Sequence, residues 1–152
     1  MEQKKGVIPE NKYNEHAWLI GAPEIGEDVW IGAFTLVDGS GGLKIGKGCN
    51  ISSGVHIYTH SSLRRCLSER KYAEVDRKAV QIGEFVFIGA NSTILMGSKI
   101  GHHSVIAAGS VILENQEIEP YSVVAGVPAK IVKQGREEIE KIIAKGDQPQ
   151  KF

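Results

Sequence analysis

The sequence predicts an all-β fold, a parallel β-solenoid, from a repeat that runs through most of the chain. Isoleucine or valine recurs at every sixth position from Ile82 to Val124, and an earlier block repeats the pattern from Ile25 to Ile57 with one slip of two residues. Glycine often follows the aliphatic residue, and the 152 residues include 18 glycines but only 5 prolines. A period of six fits neither a helix nor an alternating hairpin strand. It fits short strands separated by turns, each strand placing one aliphatic side chain in a core shared by stacked coils.

The repeat and its interruptions divide this single domain into parts. Residues 1–21 form an N-terminal lead-in, and the solenoid is expected over residues 22–133. Residues 61–81 break the period, are rich in charge and are predicted to protrude as a loop; a long loop in a compact domain is usually functional or disordered. Residues 135–146 carry isoleucines at helical spacing, which predicts a short α-helix capping the open end of the solenoid. A frayed tail is the alternative for that last segment.

Composition narrows the class of partner and the compartment. Lysine plus arginine total 18, as do aspartate plus glutamate, so the formal net charge is zero. A nucleic-acid or acidic-membrane partner would require a basic excess, so neither is expected. No apolar run approaches the roughly 18 residues of a membrane span, and the first residues lack the apolar core of a secretory signal. We therefore expect a cytoplasmic protein in which Cys49 and Cys66 are free thiols.

His60 is the strongest candidate for a catalytic residue. It lies where the first repeat block ends and the charged loop begins, in Ile57-Tyr-Thr-His60-Ser-Ser. An imidazole titrates near neutral pH and can remove the proton of a hydroxyl as that hydroxyl attacks an electrophile. The alternative is a surface histidine at a loop entrance. His56, four residues earlier, is interpreted as a structural or solvent-facing histidine.

Two features of the sequence resemble the hexapeptide-repeat acyltransferases. One is the repeat Ile-Gly-x-x-Ser/Val-x, and the other is the ending Ala125-Gly-Val-Pro-Ala-Lys130, which matches the family's Gly-(Val/Asn)-Pro-Ala-(Lys/Arg) almost residue for residue. The resemblance covers residues 22–133 and is strongest to the sugar O-acetyltransferases that act on galactosides and maltose. It implies a left-handed parallel β-helix, since the repeat alone does not fix the hand. It also implies a homotrimer whose active sites lie between neighbouring solenoids.

On the acceptor side, the resemblance makes His60 the general base of the transfer. Asp38, in Val37-Asp38-Gly-Ser, is similar to an acidic residue that contacts the acceptor in the sugar acetyltransferases. Two other roles are open for Asp38: it could orient the imidazole, or it could be an ordinary turn aspartate beside glycines. Arg64 and Arg65 are candidate acceptor contacts because they lie in the charged loop shortly after His60.

On the donor side, the resemblance implies that the acyl group comes from acetyl-CoA as a cosubstrate, with no metal. Phe87-Ile-Gly-Ala90-Asn91 is similar to a Trp-Ile-Gly segment whose aromatic residue packs near the pantetheine arm of the donor. In that segment the backbone N–H at the position of Ala90 faces the thioester and is suited to stabilise an oxyanion. The phenylalanine here can still pack but lacks the indole N–H.

Two further segments belong to the same donor site in this comparison. Ala108 and Gly109 are similar to a segment with small side chains, whose exposed backbone pairs with the pantetheine amides much as an added strand would. Lys130 and Lys133 match the basic positions that meet the phosphates of coenzyme A, a task suited to point charges on flexible stems.

The expected function is transfer of an acetyl group from acetyl-CoA to a hydroxyl of a sugar or similar small acceptor. One alternative is N-acetylation of an amino sugar, including a nucleotide-linked one in surface-polysaccharide synthesis. A remote alternative is a metalloenzyme like the γ-class carbonic anhydrases, which gather three histidines around zinc. His56 and His60 are four residues apart and His102 and His103 are adjacent, which is the wrong spacing for that site. A non-catalytic scaffold would lack a base in the place of His60.

Overall fold

The computed structural model describes residues 6–146, so the first five residues of the predicted lead-in lie outside the described residues. This part of the chain forms short strands and two helices. The strands are β1 (Trp18–Ile20), β2 (Glu24–Ile25), β3 (Trp30–Ile31), β4 (Leu36–Asp38), β5 (Leu43–Ile45), β6 (Asn50–Ile51), β7 (His56–Ile57), β8 (His60–Ser61), β9 (Asp76–Arg77), β10 (Val80–Ile82), β11 (Phe87–Ile88), β12 (Thr93–Ile94), β13 (Lys99–Ile100), β14 (Val105–Ile106), β15 (Val111–Ile112), β16 (Glu117–Ile118), β17 (Ser122–Ala125) and β18 (Lys130–Gln134). The helices are α1 (Leu63–Leu67) and α2 (Arg136–Lys145).

Three parallel sheets form the faces of a triangular prism. Sheet A contains β1, β4, β7, β12 and β15, sheet B contains β2, β5, β10, β13 and β16, and sheet C contains β3, β6, β11, β14 and β17, with β18 as an antiparallel strand at its edge. Within the solenoid, successive strands enter successive sheets, so each set of three makes one coil and the prism has five coils. The predicted solenoid is confirmed. Its first strand begins at Trp18, four residues before the predicted start at residue 22.

The aliphatic columns of the repeat form the core of the prism. Ile31, Ile51, Ile88 and Ile106 stack in register along sheet C, and each is at most 1% exposed. Burying one isoleucine side chain stabilises a fold by roughly 1.5–3 kcal/mol. A slip of one residue would turn each of these side chains outward, so the columns fix the register of the coils and the position of everything attached to them.

Left-handed backbone conformations repeat from coil to coil at the corners. At the corner between sheets B and C, Asp28, Phe85, His103 and Tyr121 have φ angles between 53° and 61°, and Gly48 takes the same place in the second coil with φ 70°. From Gly48 onward, each N–H at this position donates to a carbonyl oxygen of the preceding coil at 2.9–3.0 Å. A side chain on Gly48 would collide with the ring of Phe85, so this position requires glycine.

The predicted protruding loop, residues 61–81, is a folded projection from the corner between sheets A and B. β8 and β9 pair as an antiparallel ribbon, and α1 lies between them in sequence. On α1, Arg64 forms a salt bridge of 2.6 Å with Asp76 of β9. The same guanidinium lies over the ring of Tyr72, 3.6 Å from its centroid. These contacts hold the projection together, with His60 at its base.

The C-terminal segment closes the last coil of the prism. β18 runs antiparallel to β17, and α2 then packs Ile139, which is 8% exposed, against the end of the fold. The guanidinium of Arg136 lies 4.4 Å from the ring centroid of Tyr121. The predicted capping helix over 135–146 is confirmed as α2, and the frayed tail is the wrong alternative. Within residues 6–146 neither helix has the length and apolar character needed to cross a membrane.

Candidate active site

The fold brings two of the predicted site residues into direct contact. Asp38 ends β4 in the second coil, and His60 begins β8 in the third coil, where the chain leaves sheet A for the projection. Because β4 and β7 pair in register, the ends of these two coils are stacked. The Nδ1 atom of His60 lies 2.5 Å from Oδ2 of Asp38. The sequence separation of 22 residues therefore becomes a hydrogen bond at the corner between sheets A and B.

The carboxylate of Asp38 is fully buried and is surrounded by donors. Oδ1 accepts from the N–H of Ser40 at 2.9 Å, and Oδ2 accepts from the N–H of Thr59 at 2.8 Å and from His60. The Thr59 hydroxyl lies 3.0 Å from Oδ2 and 2.9 Å from the Asp38 carbonyl oxygen, and it can donate to either. Burial on its own would raise the pKa of Asp38, but the hydrogen bonds from Ser40, Thr59 and His60 outweigh it and hold the pKa well below its ordinary value. Asp38 is therefore an anion at every pH at which the protein would work.

This anion fixes the tautomer of His60. The proton of the neutral imidazole resides on Nδ1, where it is donated to Asp38, and the lone pair is left on Nε2. The His60 side chain is 34% exposed, whereas that of Asp38 is 0% exposed. A hydroxyl or amine approaching from outside thus meets the basic nitrogen of an oriented imidazole, which is the arrangement required of a general base.

The two roles considered for Asp38 fit its surroundings differently. The carboxylate is completely buried and already accepts hydrogen bonds from Ser40, Thr59 and His60. A direct contact between Asp38 and an acceptor stays a prediction. The second role considered for Asp38, orientation of the imidazole, is the one that the geometry supports.

Thr59 and Gly41 complete the support of the pair, and neither was identified from the sequence. Thr59 is fully buried, and its hydroxyl accepts from the N–H of Gly41 at 2.8 Å. A Cβ atom on Gly41 would overlap the carbonyl oxygen of Thr59, so the close approach of these two segments requires glycine. In the sequence, Thr59 resembles any other small residue at a corner, and Gly41 is one of several neighbouring glycines.

A row of rings lies beside the pair on the outside of the third coil. The ring of Tyr58 meets both His56 and His60 edge-on, with centroid separations of 6.0 Å in each case. The Tyr58 hydroxyl lies 3.4 Å from Nδ1 of His56. His56 is half-buried rather than freely exposed, and it forms part of this row. The row places polar atoms of Tyr58 and His56 beside His60.

The two arginines predicted to contact an acceptor have different surroundings. Arg64 is occupied by Asp76 and Tyr72 inside the projection, so its evident role is structural. The guanidinium Nε of Arg65 is buried, and no hydrogen-bond partner for it is found within residues 6–146. A contact between Arg65 and an acceptor stays a prediction.

The predicted donor residues lie elsewhere on the prism. Phe87 points outward from sheet C and is 46% exposed. Ala90 and Asn91 form the third turn at the corner between sheets C and A, and Ala108 and Gly109 form the turn one coil further on. The two coils are joined there by a hydrogen bond of 2.8 Å from the N–H of Gly109 to the carbonyl oxygen of Ala90. The turn N–H groups of Ala90 and Ala108 have no backbone acceptor in the described part of the chain.

The last two donor residues are on β18, beyond the end of sheet C. Lys130 is exposed, and Lys133 lies 3.6 Å from Glu138 of α2. The donor set thus follows sheet C and its corner with sheet A, whereas His60 and Asp38 are at the corner between sheets A and B. One chain carries the two halves of the expected site on different edges.

No metal centre is formed by the histidines of the chain. His102 and His103 pack together at the corner between sheets B and C, with their Nδ1 atoms 3.0 Å apart, on a different edge from His56 and His60. Among the described residues, no group of three or more histidine, cysteine, aspartate or glutamate side chains is arranged to hold a metal ion. The geometry gives no support to the alternative of a carbonic anhydrase.

Comparisons with known proteins agree with the architecture and with the repeat. The family described as "Bacterial transferase hexapeptide (six repeats)" matches residues 79–114, and that described as "Hexapeptide repeat of succinyl-transferase" matches residues 24–59. No curated protein sequence gives a significant match. The two matched segments lie on either side of the projection, which is where the six-residue period is interrupted.

Solved structures show the same fold. The hexapeptide-repeat containing acetyltransferase VCA0836 from Vibrio cholerae is 31% identical, with 76% of this chain and 69% of that chain covered and a TM-score of 0.57. The polySia specific acetyltransferase NeuO is 27% identical over 74% of this chain and 52% of its own, with a TM-score of 0.61. AntD, an N-acyltransferase from Bacillus cereus, is 24% identical over 88% of this chain and 74% of its own, with a TM-score of 0.73. The chain therefore belongs to the hexapeptide-repeat acyltransferases, the family whose fold is the left-handed parallel β-helix.

Proposed function

We propose that the protein transfers an acetyl group from acetyl-CoA to a hydroxyl of a sugar or similar small acceptor, with His60 as the general base. The observation that carries this proposal is the hydrogen bond of 2.5 Å between His60 and the buried Asp38, which leaves Nε2 basic and turned to the outside. An oriented base of this kind accelerates proton removal by about 10²–10⁴-fold. Such a pair is suited to acyl transfer, because it leaves a basic nitrogen exposed beside a buried anion.

The chemistry follows from the positions of the two nitrogen atoms of His60. Nε2 removes the proton of the acceptor hydroxyl while the oxygen attacks the thioester carbonyl carbon. The charge that develops on the carbonyl oxygen would be stabilised by a backbone N–H, for which Ala90 is the proposed donor. The C–S bond then breaks, and the imidazolium returns its proton to the leaving thiolate. Asp38 stays an anion throughout and stabilises the imidazolium while it exists.

We infer that the active site is completed by a second chain in a homotrimer. Sheets B and C differ in what they present to the outside. The exposed column of sheet C includes Trp30 and Phe87, which are 64% and 46% exposed. Sheet B instead presents charged and amide side chains: Glu24, Lys44, Gln81, Lys99 and Glu117. An apolar column is suited to packing against a neighbouring solenoid, and the charged one to solvent. Packing on sheet C would bring its donor residues to the His60 edge of a neighbour.

The class of acceptor is inferred from the neighbours and from the site. AntD has been crystallised with dTDP-4-amino-4,6-dideoxyglucose and coenzyme A, and NeuO is described as specific for polySia, so both handle sugars. We propose a sugar or amino sugar as the acceptor here, with coenzyme A held by Phe87, Ala90, Asn91, Ala108, Gly109, Lys130 and Lys133. N-acylation remains the second candidate, because an amine can lose its proton to the same base. Free Cys49 and Cys66 favour a reducing cytoplasm.

The proposal is tested by following thiol release from acetyl-CoA with a panel of sugars, amino sugars and hydroxylated antibiotics. We expect turnover with at least one class, and a loss of 10²-fold or more in His60→Ala, as removal of a general base predicts. His16→Ala is the matched control, because His16 is an exposed histidine that stacks on Phe34 outside the site. Absence of thiol release with every acceptor, or equal losses in both variants, would contradict the proposal.

A further inference from the structure

The ribbon formed by β8 and β9 places an arginine beside the proposed base. His60 pairs directly with Arg77, and Ser61 pairs with Asp76, in antiparallel register. Side chains of directly opposed residues in an antiparallel pair lie on the same face, with Cβ atoms about 4.5–5.5 Å apart. Arg77 therefore projects from the face of the ribbon that carries the imidazole. In the sequence the two residues are 17 positions apart, on opposite sides of the charged loop.

Arg77 has no group that neutralises it among residues 6–146. Its side chain is exposed, and no salt bridge or hydrogen bond to it occurs within residues 6–146. Asp76, the nearest carboxylate in sequence, is already occupied by Arg64 at 2.6 Å. Lys78 is turned the other way, with its Nζ atom 3.4 Å from the side-chain oxygen of Asn115. The guanidinium beside His60 is thus available to a ligand.

The positive charge of Arg77 has no counter-charge in the proposed site. When His60 becomes an imidazolium, Asp38 offsets that charge, but the charge of Arg77 on the same face of the ribbon is left over and disfavours the protonated state. A bound anionic group would offset the excess charge. The arrangement is therefore favourable for a negatively charged acceptor and unfavourable for a neutral one.

The anion in question belongs to the acceptor and not to the donor. The phosphates of coenzyme A are separated from its thioester by the whole pantetheine arm, so they cannot lie beside the base that serves the thioester. The positive residues proposed for those phosphates, Lys130 and Lys133, are on β18 at the end of sheet C. A positive charge next to His60 therefore contacts the acceptor, the molecule whose hydroxyl or amine His60 deprotonates.

We propose that Arg77 determines acceptor specificity by binding a carboxylate or phosphate group close to the nucleophilic atom of the acceptor. This inference rests on the proposed function and names its substrate class, an acidic sugar or a sugar phosphate. The planar guanidinium can bind either group through two parallel N–H···O hydrogen bonds. Arg77 determines specificity only: His60 is the base, and Asp38 sets the orientation of its imidazole.

The kinetic test compares matched acceptors that differ only in charge. Glucose, glucuronate and glucose 6-phosphate, and the same three compounds of the galactose series, are assayed with wild type, Arg77→Gln, Arg77→Lys and Lys71→Gln. Wild type is expected to prefer one charged form in kcat/KM by tenfold or more. Arg77→Gln should abolish that preference, mainly through KM, and should not lower kcat/KM for the neutral sugar, because the charge that is removed disfavours the imidazolium. Arg77→Lys should restore part of it. Lys71→Gln removes the same charge from the turn beyond α1 and should behave as wild type.

The identity of the preferred compound distinguishes a carboxylate from a phosphate as the group recognised. Equal use of neutral and charged sugars by wild type, or equal effects of Arg77→Gln on both, would overturn the inference and leave the acyltransferase itself intact. Calorimetric titration of glucuronate and glucose 6-phosphate into wild type and Arg77→Gln, with coenzyme A present, provides a readout that does not require turnover. Binding that is at least tenfold weaker in Arg77→Gln supports the site even if no acyl transfer is seen. Binding that is absent in wild type or unchanged in the variant refutes it.

Discussion

Replacement of Asp38 by asparagine separates the charge of this residue from its shape. The carboxylate receives only donors: the N–H groups of Ser40 and Thr59, and Nδ1 of His60. An asparagine here is best oriented with its amide oxygen toward Thr59 and His60. Its NH₂ group then faces the N–H of Ser40, and two donors cannot form a hydrogen bond. One hydrogen bond to a charged group is lost, and such bonds contribute about 1.5–3 kcal/mol. We therefore expect Asp38→Asn to lower the free energy of unfolding by about 2 kcal/mol.

The same variant should lose activity without losing the fold. A neutral amide still accepts from Nδ1 of His60, but it stabilises the imidazolium less, so kcat should fall by about 10²-fold or more. Urea unfolding at pH 7.5 measures the stability, and thiol release from acetyl-CoA measures the rate. Asp28→Asn is the control: Asp28 is an exposed corner residue with φ 53°, a conformation that asparagine tolerates. That variant should change neither quantity appreciably.

The pH dependence of the free energy of unfolding provides a further test of the role of Asp38. The pKa of Asp38 is depressed in the folded protein, so its contribution is complete above the unfolded pKa of about 3.9 and is lost as the pH falls below that value. The difference in unfolding free energy between wild type and Asp38→Asn should be constant from pH 5 to pH 8 and should shrink below pH 4. Wild-type turnover in Asp38→Asn, or a stability difference that appears only above neutral pH, would show that the buried anion does not orient His60.

Three further predictions concern the solenoid. Ser98 Oγ is buried without a partner in the described part of the chain, whereas Ser104 Oγ donates to a backbone carbonyl at 3.0 Å. In urea unfolding, Ser104→Ala should therefore lower the free energy of unfolding by about 1 kcal/mol, and Ser98→Ala should not lower it. Burial raises the pKa of the Cys49 thiol, so thiol labelling of the native protein should modify only the exposed Cys66 rapidly, and rapid labelling of both would contradict the fold. Burial and, to a smaller extent, the charge of the neighbouring His102 lower the pKa of His103. The unfolded chain therefore binds a proton at this histidine more readily than the folded protein, and the free energy of unfolding should fall as the pH drops below about 6.5. His103→Asn should reduce that fall between pH 7 and pH 5.

The fold could be predicted from the sequence because one position of the six-residue repeat supplies most of the core. Each aliphatic residue of the repeat enters the interior at the same place in its coil, so a strict period in sequence becomes a strict register in space. The isoleucines from Ile82 to Ile118 are all buried, as the period predicts. The first strand, at Trp18, is outside the predicted solenoid although Leu19 lies six residues before Ile25, because the repeat is defined by isoleucine and valine and this position holds leucine. Leu19 is only partly buried, and its coil is identified by the pairing of β1 with β4.

The site could be predicted only in part, because it depends on contacts between segments and not on the repeat. His60 stands out in sequence at the interruption of the period. The buried state of Asp38 and its support by Thr59 follow from the stacking of the second and third coils, which a single strand does not encode. The pairing of His60 with Arg77 depends on how the projection folds back on itself, and that register is set by the salt bridge and packing of Arg64 within it.

We propose that Asp38 acts on the reaction through His60, and a double-mutant cycle measures this coupling. Rates of thiol release are measured for wild type, His60→Ala, Asp38→Asn and the double variant at one saturating acceptor concentration. Residues that work as one unit have strongly non-additive effects. We expect the double variant to be no slower than His60→Ala alone, since an orienting carboxylate has nothing left to orient. A double variant whose loss equals the product of the two single losses would contradict it, because Asp38 would then contribute independently of the histidine.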